Sequence, residues 1–220
     1  MTRVPSLSAC AALLAAASCA LTAAAQSVHS HQHSFSGADR WAKVFDDPGR
    51  DAWQKPHEVI EALHLAPDAA VADIGAGTGY FSVRLAHFLP RGRVYGVDTE
   101  PDMVAYLAER ARREQLPAVV AVAGKPGDPQ LPEKVDVVLM VDVYHHIEDR
   151  GGYFRRLRSY LKAGGRVAII DFNAQSKMGP PAAERLAPEQ VRAELEQAGY
   201  ALLDRPAFLP EQYFLIFAAK

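Results

Sequence analysis

Apolar residues fall into short dense runs along most of the chain. Residues 70–74, 93–97, 118–123, 135–141 and 166–171 are almost wholly apolar, without alternation. Runs of that length and uniformity predict strands covered on both faces. Between them the apolar period lengthens. Residues 80–88 form one helical stretch. Residues 102–115 place Met103, Val104, Leu107 and Ala111 on one stripe, and residues 149–161 do the same with Phe154, Leu157 and Leu161. Gly164 and Gly165 then stop the chain before the fifth run. Ahead of the first strand, residues 41–65 read as helical, with Pro56 suited to a first helical turn. Residues 188–197 predict a last helix, followed by Gly199 and two closing strands near 201–203 and 212–217. Strands alternating with helices imply a doubly wound, mostly parallel α/β sheet.

The first 25 residues belong to a different pattern. Arg3 gives a basic start, residues 7–24 are rich in alanine and leucine without charge, and Ala23-Ala24-Ala25 precedes Gln26. This reads as a secretory signal, which implies an exported, periplasmic protein with no membrane span once the signal is removed. A lipid anchor at Cys19 is the competing reading. Residues 26–37 form a polar tail holding His29, His31 and His33. Either the histidines bind metal weakly or the tail is a plain flexible terminus, and no closed metal site is expected. Residues 38–220 then make one domain. Cys10 and Cys19 both lie in the leader, so the mature chain has no cysteine for a disulfide, a thiolate nucleophile or soft-metal chemistry. The net charge of −2 offers no general attraction to nucleic acid.

The chemistry sits in two places. Residues 71–85 read VADIGAGTGYFSVRL: a strand ending in Asp73, a turn with Gly75, Ala76, Gly77 and Gly79, then a helix opening at Tyr80. Roughly twenty residues on, the second strand ends in Asp98. A dinucleotide loop would carry a third glycine where Tyr80 stands, which argues against a nicotinamide-dependent oxidoreductase. The second place is the end of the fourth strand, where Asp142, Tyr144, His145 and His146 follow one another.

The glycine loop resembles motif I of the class I S-adenosylmethionine-dependent methyltransferases. The resemblance runs from about Trp53 to Phe217, through Asp98, VDVVLMVDVYHHIED and LKAGGRVAIIDF. It implies a seven-stranded Rossmann-like methyltransferase fold with an N-terminal helical cap. It implies that Asp73, Gly75, Ala76, Gly77, Gly79 and Tyr80 bind the methionine end of the cofactor and that Asp98 accepts the ribose hydroxyls. Thr99 and Met103 are adenine-pocket candidates, although Met103 reads equally well as core. Where the family places an acid after the third strand, this chain has Lys125, with Asp128 further on as the substitute adenine contact.

The implied reaction is in-line methyl transfer from S-adenosylmethionine to a small-molecule acceptor. His145 is the candidate general base, Tyr144 an acceptor-orienting group, and Asp142 a group that touches the cofactor or holds a histidine. Against this stands the reading that the histidines only pack the helix start. The export signal motivates another alternative, a non-catalytic module that binds the cofactor or a nucleoside.

Overall fold

The computed structural model describes Met1 and residues 36–220. The leader beyond Met1, both cysteines and His29, His31 and His33 lie outside the described residues. Among the described residues no helix is long and apolar enough to cross a membrane.

Three short helices come first: α1 (Ala38–Phe45), α2 (Arg50–Gln54) and α3 (Pro56–Ala62). The single helical region expected here is broken at Lys55, whose φ of 45° ends α2 before Pro56 opens α3. Then β1 (Ala70–Ile74), α4 (Tyr80–Phe88), β2 (Arg93–Asp98), α5 (Pro101–Arg113) and β3 (Val119–Ala123) alternate. No helix joins β3 to β4 (Val135–Val141); residues 124–134 cross as a loop. Next come α6 (Arg150–Leu157), capped by Asp149, which accepts from the Gly152 amide at 2.9 Å, and β5 (Leu161–Phe172). Gly164 and Gly165 lie inside β5 rather than ahead of it. They sit where the β4–β5 register slips between Val135 and Val137. The chain ends with α7 (Pro188–Gln197), β6 (Tyr200–Asp204) and β7 (Gln212–Ala219).

The seven strands form one sheet in the order β3-β2-β1-β4-β5-β7-β6, with β7 antiparallel to both neighbours. This is the doubly wound fold that the sequence implied. One face is packed by α3, α4 and α5 through Val59, Ile60, Phe81, Leu85 and Leu107. The other is packed by α6 and α7 through Phe154, Leu157, Val191 and Leu195. The central strands are buried on both sides, which is why they are uniformly apolar.

Register brings the polar strand ends together. Ile74 pairs with Val97 and Met140, so Asp73, the glycine loop and Asp98 share one edge. Val141 pairs with Ile170, which sets Asp142 beside Asp171. Because β7 runs the opposite way, its first residue, Gln212, reaches the same edge opposite Phe172. In an open α/β sheet this carboxyl edge, where strand order reverses around β1 and β4, is where ligands bind.

Candidate functional site

Gly75, Gly77 and Gly79 all have positive φ, at 72°, 54° and 92°. Other residues adopt that region only with strain. A side chain at Gly75 would also place its Cβ 2.2 Å from Val143 Cγ2. The loop closes on itself through its amides. Gly75 and Ala76 donate to the Val97 carbonyl at 2.8 and 3.0 Å, Gly79 donates to Ala76, and Gly77 donates to Asp98 Oδ2 at 2.8 Å. The carbonyls of Gly75 and Gly77 accept no hydrogen bond from the described residues. These four amides are therefore turned to partners within the protein. They fix the loop, and the carbonyls of Gly75 and Gly77 are left as acceptors. Acceptors suit a cationic ammonium and not a pyrophosphate.

Asp98 lies half-buried at the edge, and its second oxygen accepts from the Glu100 amide at 3.0 Å. Burial raises its pKa against the opposing hydrogen bonds from Glu100 and Gly77. Asp73 lies deeper. It accepts from Ser82 Oγ at 2.6 Å and so ties β1 to the first turn of α4. Burial pushes its carboxyl up to about 6, opposed by the Ser82 bond. Thr99 is exposed at the same edge and Met103 is fully buried in α5.

Three expected site residues are placed elsewhere. Tyr144 is fully buried among Phe154 and its neighbours, and its hydroxyl donates to Glu194 of α7 at 2.6 Å. It is a core residue on the α6–α7 face and does not orient an acceptor. Asp128 accepts from Tyr160 at 2.8 Å and pairs with Arg156 at 3.3 Å, fastening the β3–β4 loop to α6 rather than meeting an adenine. The Tyr80 ring is sandwiched between the guanidinium groups of Arg50 and Arg84, 4.0 and 3.9 Å from its centroid, and its hydroxyl bonds Asp51. Its side chain holds α2 against α4 instead of entering the loop.

His145 does stand at the edge. Its Nδ1 lies 2.9 and 3.0 Å from the two oxygens of Asp171, and its amide donates to the same carboxylate at 3.3 Å. Burial alone would lower its pKa. The hydrogen bond and charge of Asp171, with the charge of Asp142, outweigh burial and raise it. This arrangement fixes the imidazole through Nδ1 and leaves Nε2 without a hydrogen-bond partner among the described residues.

Asp142 has a φ of 59°, a left-handed conformation that Asp tolerates better than most residues. Its Oδ1 accepts from Gln212 Nε2 at 2.5 Å, and Gln212 Oε1 in turn accepts from Gln54 Nε2 at 2.5 Å. Gln54 also binds Arg50, whose guanidinium stands 3.9 Å from Asp142 Oδ2. Burial, then the charge of Asp171, drives the Asp142 carboxyl upward. Arg50, Gln212 and Asp171 were not singled out from the sequence. Asp171 had a legible signal, as the acid that ends a strand at the ligand edge. The others come together only through contacts across much of the chain.

Comparison with known proteins places this geometry. Residues 72–167 match the methyltransferase domain. The match spans the glycine loop, Asp98, Asp142 and His145. The chain is 28% identical over 179 residues to phosphoethanolamine N-methyltransferase 1 of Arabidopsis thaliana, covering 80% of this chain and 35% of that one. It is 30% identical over 132 residues to trans-aconitate 2-methyltransferase of Rhodopseudomonas palustris (strain BisB5), covering 60% and 48%. The chain thus spans about a third to a half of the length of these curated relatives. A SAM-dependent methyltransferase from Aquifex aeolicus superposes with a TM-score of 0.78 at 24% identity, over 84% of this chain and 99% of that structure. Residues 72–167 are thus similar to a methyltransferase domain, and the fold is that of the Aquifex aeolicus methyltransferase.

Proposed function

We propose that this methyltransferase domain transfers a methyl group from S-adenosylmethionine to a small-molecule acceptor. The observation that carries the reading is the glycine loop, self-tied through its amides and bonded directly to Asp98. That leaves loop carbonyls for an ammonium and a carboxylate for a cis-diol. When bound, the cofactor supplies an activated methyl on a sulfonium. The protein holds the acceptor in line with it, excludes water and takes up a proton where the nucleophile carries one. His145 is the base. Asp171 fixes its tautomer by accepting from Nδ1, so Nε2 is the nitrogen that receives a proton. Asp142, held by Gln212, flanks it. Helix α1 covers the loop, since a Cβ on Gly77 would meet Phe45 at 3.3 Å.

The histidine–carboxylate pair favours an enzyme over a non-catalytic module, because a module needs no base. The test is transfer of labelled methyl from S-adenosylmethionine across a metabolite panel, with fluorescence titration by reduced nicotinamide alongside. Labelled product with no nicotinamide binding supports the reading. Nicotinamide binding without methyl transfer defeats it. We propose also that residues 1–25 are a cleaved export signal; the mature amino terminus of the expressed protein should begin at Gln26.

A further inference from the structure

The arginine and glutamine donors near His145 are engaged within the protein. Arg50, Gln54, Gln212 and Arg185 are each turned to a partner within the protein. Arg50 donates through Nε and Nη2 to Gln54 Oε1 and through Nη1 to the Phe45 carbonyl. The Nε2 groups of Gln54 and Gln212 donate along the chain that ends on Asp142. Arg185, in the segment after β5, donates to four main-chain carbonyls, those of Asn173, Ser176, Met178 and Pro180.

The acceptors are less committed. Asp142 Oδ2 faces the guanidinium of Arg50 at 3.9 Å and accepts no hydrogen bond from the described residues. Nε2 of His145 carries no hydrogen bond to the described residues. The Tyr213 hydroxyl is buried and has no hydrogen-bond partner among the described residues. Tyr213 stands directly opposite Asp171 in the β5–β7 register, so both side chains leave the same face of the sheet. Burial and the charges of Asp171 and Asp142 all hold this phenol protonated, and its oxygen keeps free lone pairs. An unpartnered buried hydroxyl is uncommon in a native protein and points to a missing partner.

The charges agree. Asp171 is buried and Asp142 half-buried at this edge, and the charge of Glu184 also reaches His145. Arg50 is the facing cation. A phosphate or carboxylate on the acceptor would meet like charge beside these carboxylates.

Building on the methyltransferase reading above, we infer that the acceptor is an amine without phosphate or carboxylate groups. It enters as an ammonium and is methylated on nitrogen. The amine gives one proton to His145 Nε2. Its freed lone pair forms the bond to the methyl carbon, and the carbon–sulfur bonding pair leaves with sulfur. The positive charge passes from sulfur to the product nitrogen, next to the Asp142 carboxylate. Tyr213 is a positioning residue that accepts an amine N–H.

The experiment uses the full chain saturated with S-adenosylhomocysteine, titrated calorimetrically with matched pairs. These are tyramine against 4-hydroxyphenylacetate, and ethanolamine against its phosphate ester. The same pairs are assayed with labelled S-adenosylmethionine. The amine of each pair should bind at least tenfold more tightly, and the label should appear on nitrogen. Tyr213→Phe should weaken amine binding several-fold and leave S-adenosylhomocysteine affinity within twofold. An anionic member binding as well as its amine, label on oxygen, or no binding of either amine by a protein that binds S-adenosylhomocysteine would overturn the inference. Failure to bind S-adenosylhomocysteine at all would show before any amine is added, and would remove the cofactor reading as well.

Discussion

Replacing Gly75 by alanine tests how the loop is built. Two separate penalties act at this residue. Its φ of 72° places any L side chain in the left-handed region, at about 1–2 kcal/mol. The new Cβ would also lie 2.2 Å from Val143 Cγ2, 3.0 Å from Cγ1 and 3.2 Å from Cβ. Forcing a methyl into occupied space costs about 1–3 kcal/mol once neighbours shift. The expected destabilisation is therefore about 2–5 kcal/mol. For a domain of this size that lowers Tm by about 4–20 °C, at about 2–4 °C per kcal/mol. The two terms can be separated. In a Val143→Ala background the Cγ atoms are gone and the backbone term remains, so Gly75→Ala should cost only about 1–2 kcal/mol there. Urea unfolding of the four proteins gives the coupling energy, expected at about 1–3 kcal/mol. A Gly75→Ala protein as stable as the parent, or a penalty unaffected by removing the Val143 methyls, would refute this account of the loop.

Two further outcomes follow from the buried acids. Burial raises the Asp73 carboxyl from its ordinary range to about 6, so the folded state holds a proton more tightly than the unfolded chain. That group's contribution to stability is full below about pH 4 and declines as pH rises through 6, by about 3 kcal/mol. Asp73→Asn should remove that decline, gaining on the parent by about 3 kcal/mol between pH 4 and pH 7.5 in urea unfolding. A difference between the two proteins that stays constant with pH would contradict it. For His145, Asp171 is the chief group opposing the downward pull of burial. Asp171→Asn should move the rising limb of the pH–rate profile to lower pH and reduce the plateau at least tenfold. An unmoved limb would show that His145 is not the base.

Much of the fold was legible because its signals are local. Uniform apolar runs marked the buried strands, and the glycine spacing marked the loop and the helix behind it. Asp98 followed from ending the neighbouring strand. What failed was side-chain direction after a strand ends. Tyr144 and His145 are adjacent, yet the 3-10 turn at Tyr144–His146 sends one into the α6–α7 core and the other to the ligand edge. Asp128 was misplaced for a related reason. With no helix between β3 and β4, the loop folds back onto α6 and engages the carboxylate there. Gly164 and Gly165 read as a stop, but a strand can carry them through a bulge. The relay from Arg50 through Gln54 and Gln212 to Asp142 had no local signature. Its bonds join residues 158 and 70 positions apart, and only the sheet order brings them together.

The central claim is that a loop tied to Asp98 holds S-adenosylmethionine by its sugar. Calorimetric titration of Asp98→Ala against the parent tests it most directly. The substitution removes a carboxylate able to accept from both ribose hydroxyls, and charged hydrogen bonds contribute about 1.5–3 kcal/mol each. It also frees the Gly77 amide. Affinity should fall at least a hundredfold, with the unfolding transition still cooperative. Unchanged affinity in the variant, or no binding by the parent, would contradict the account.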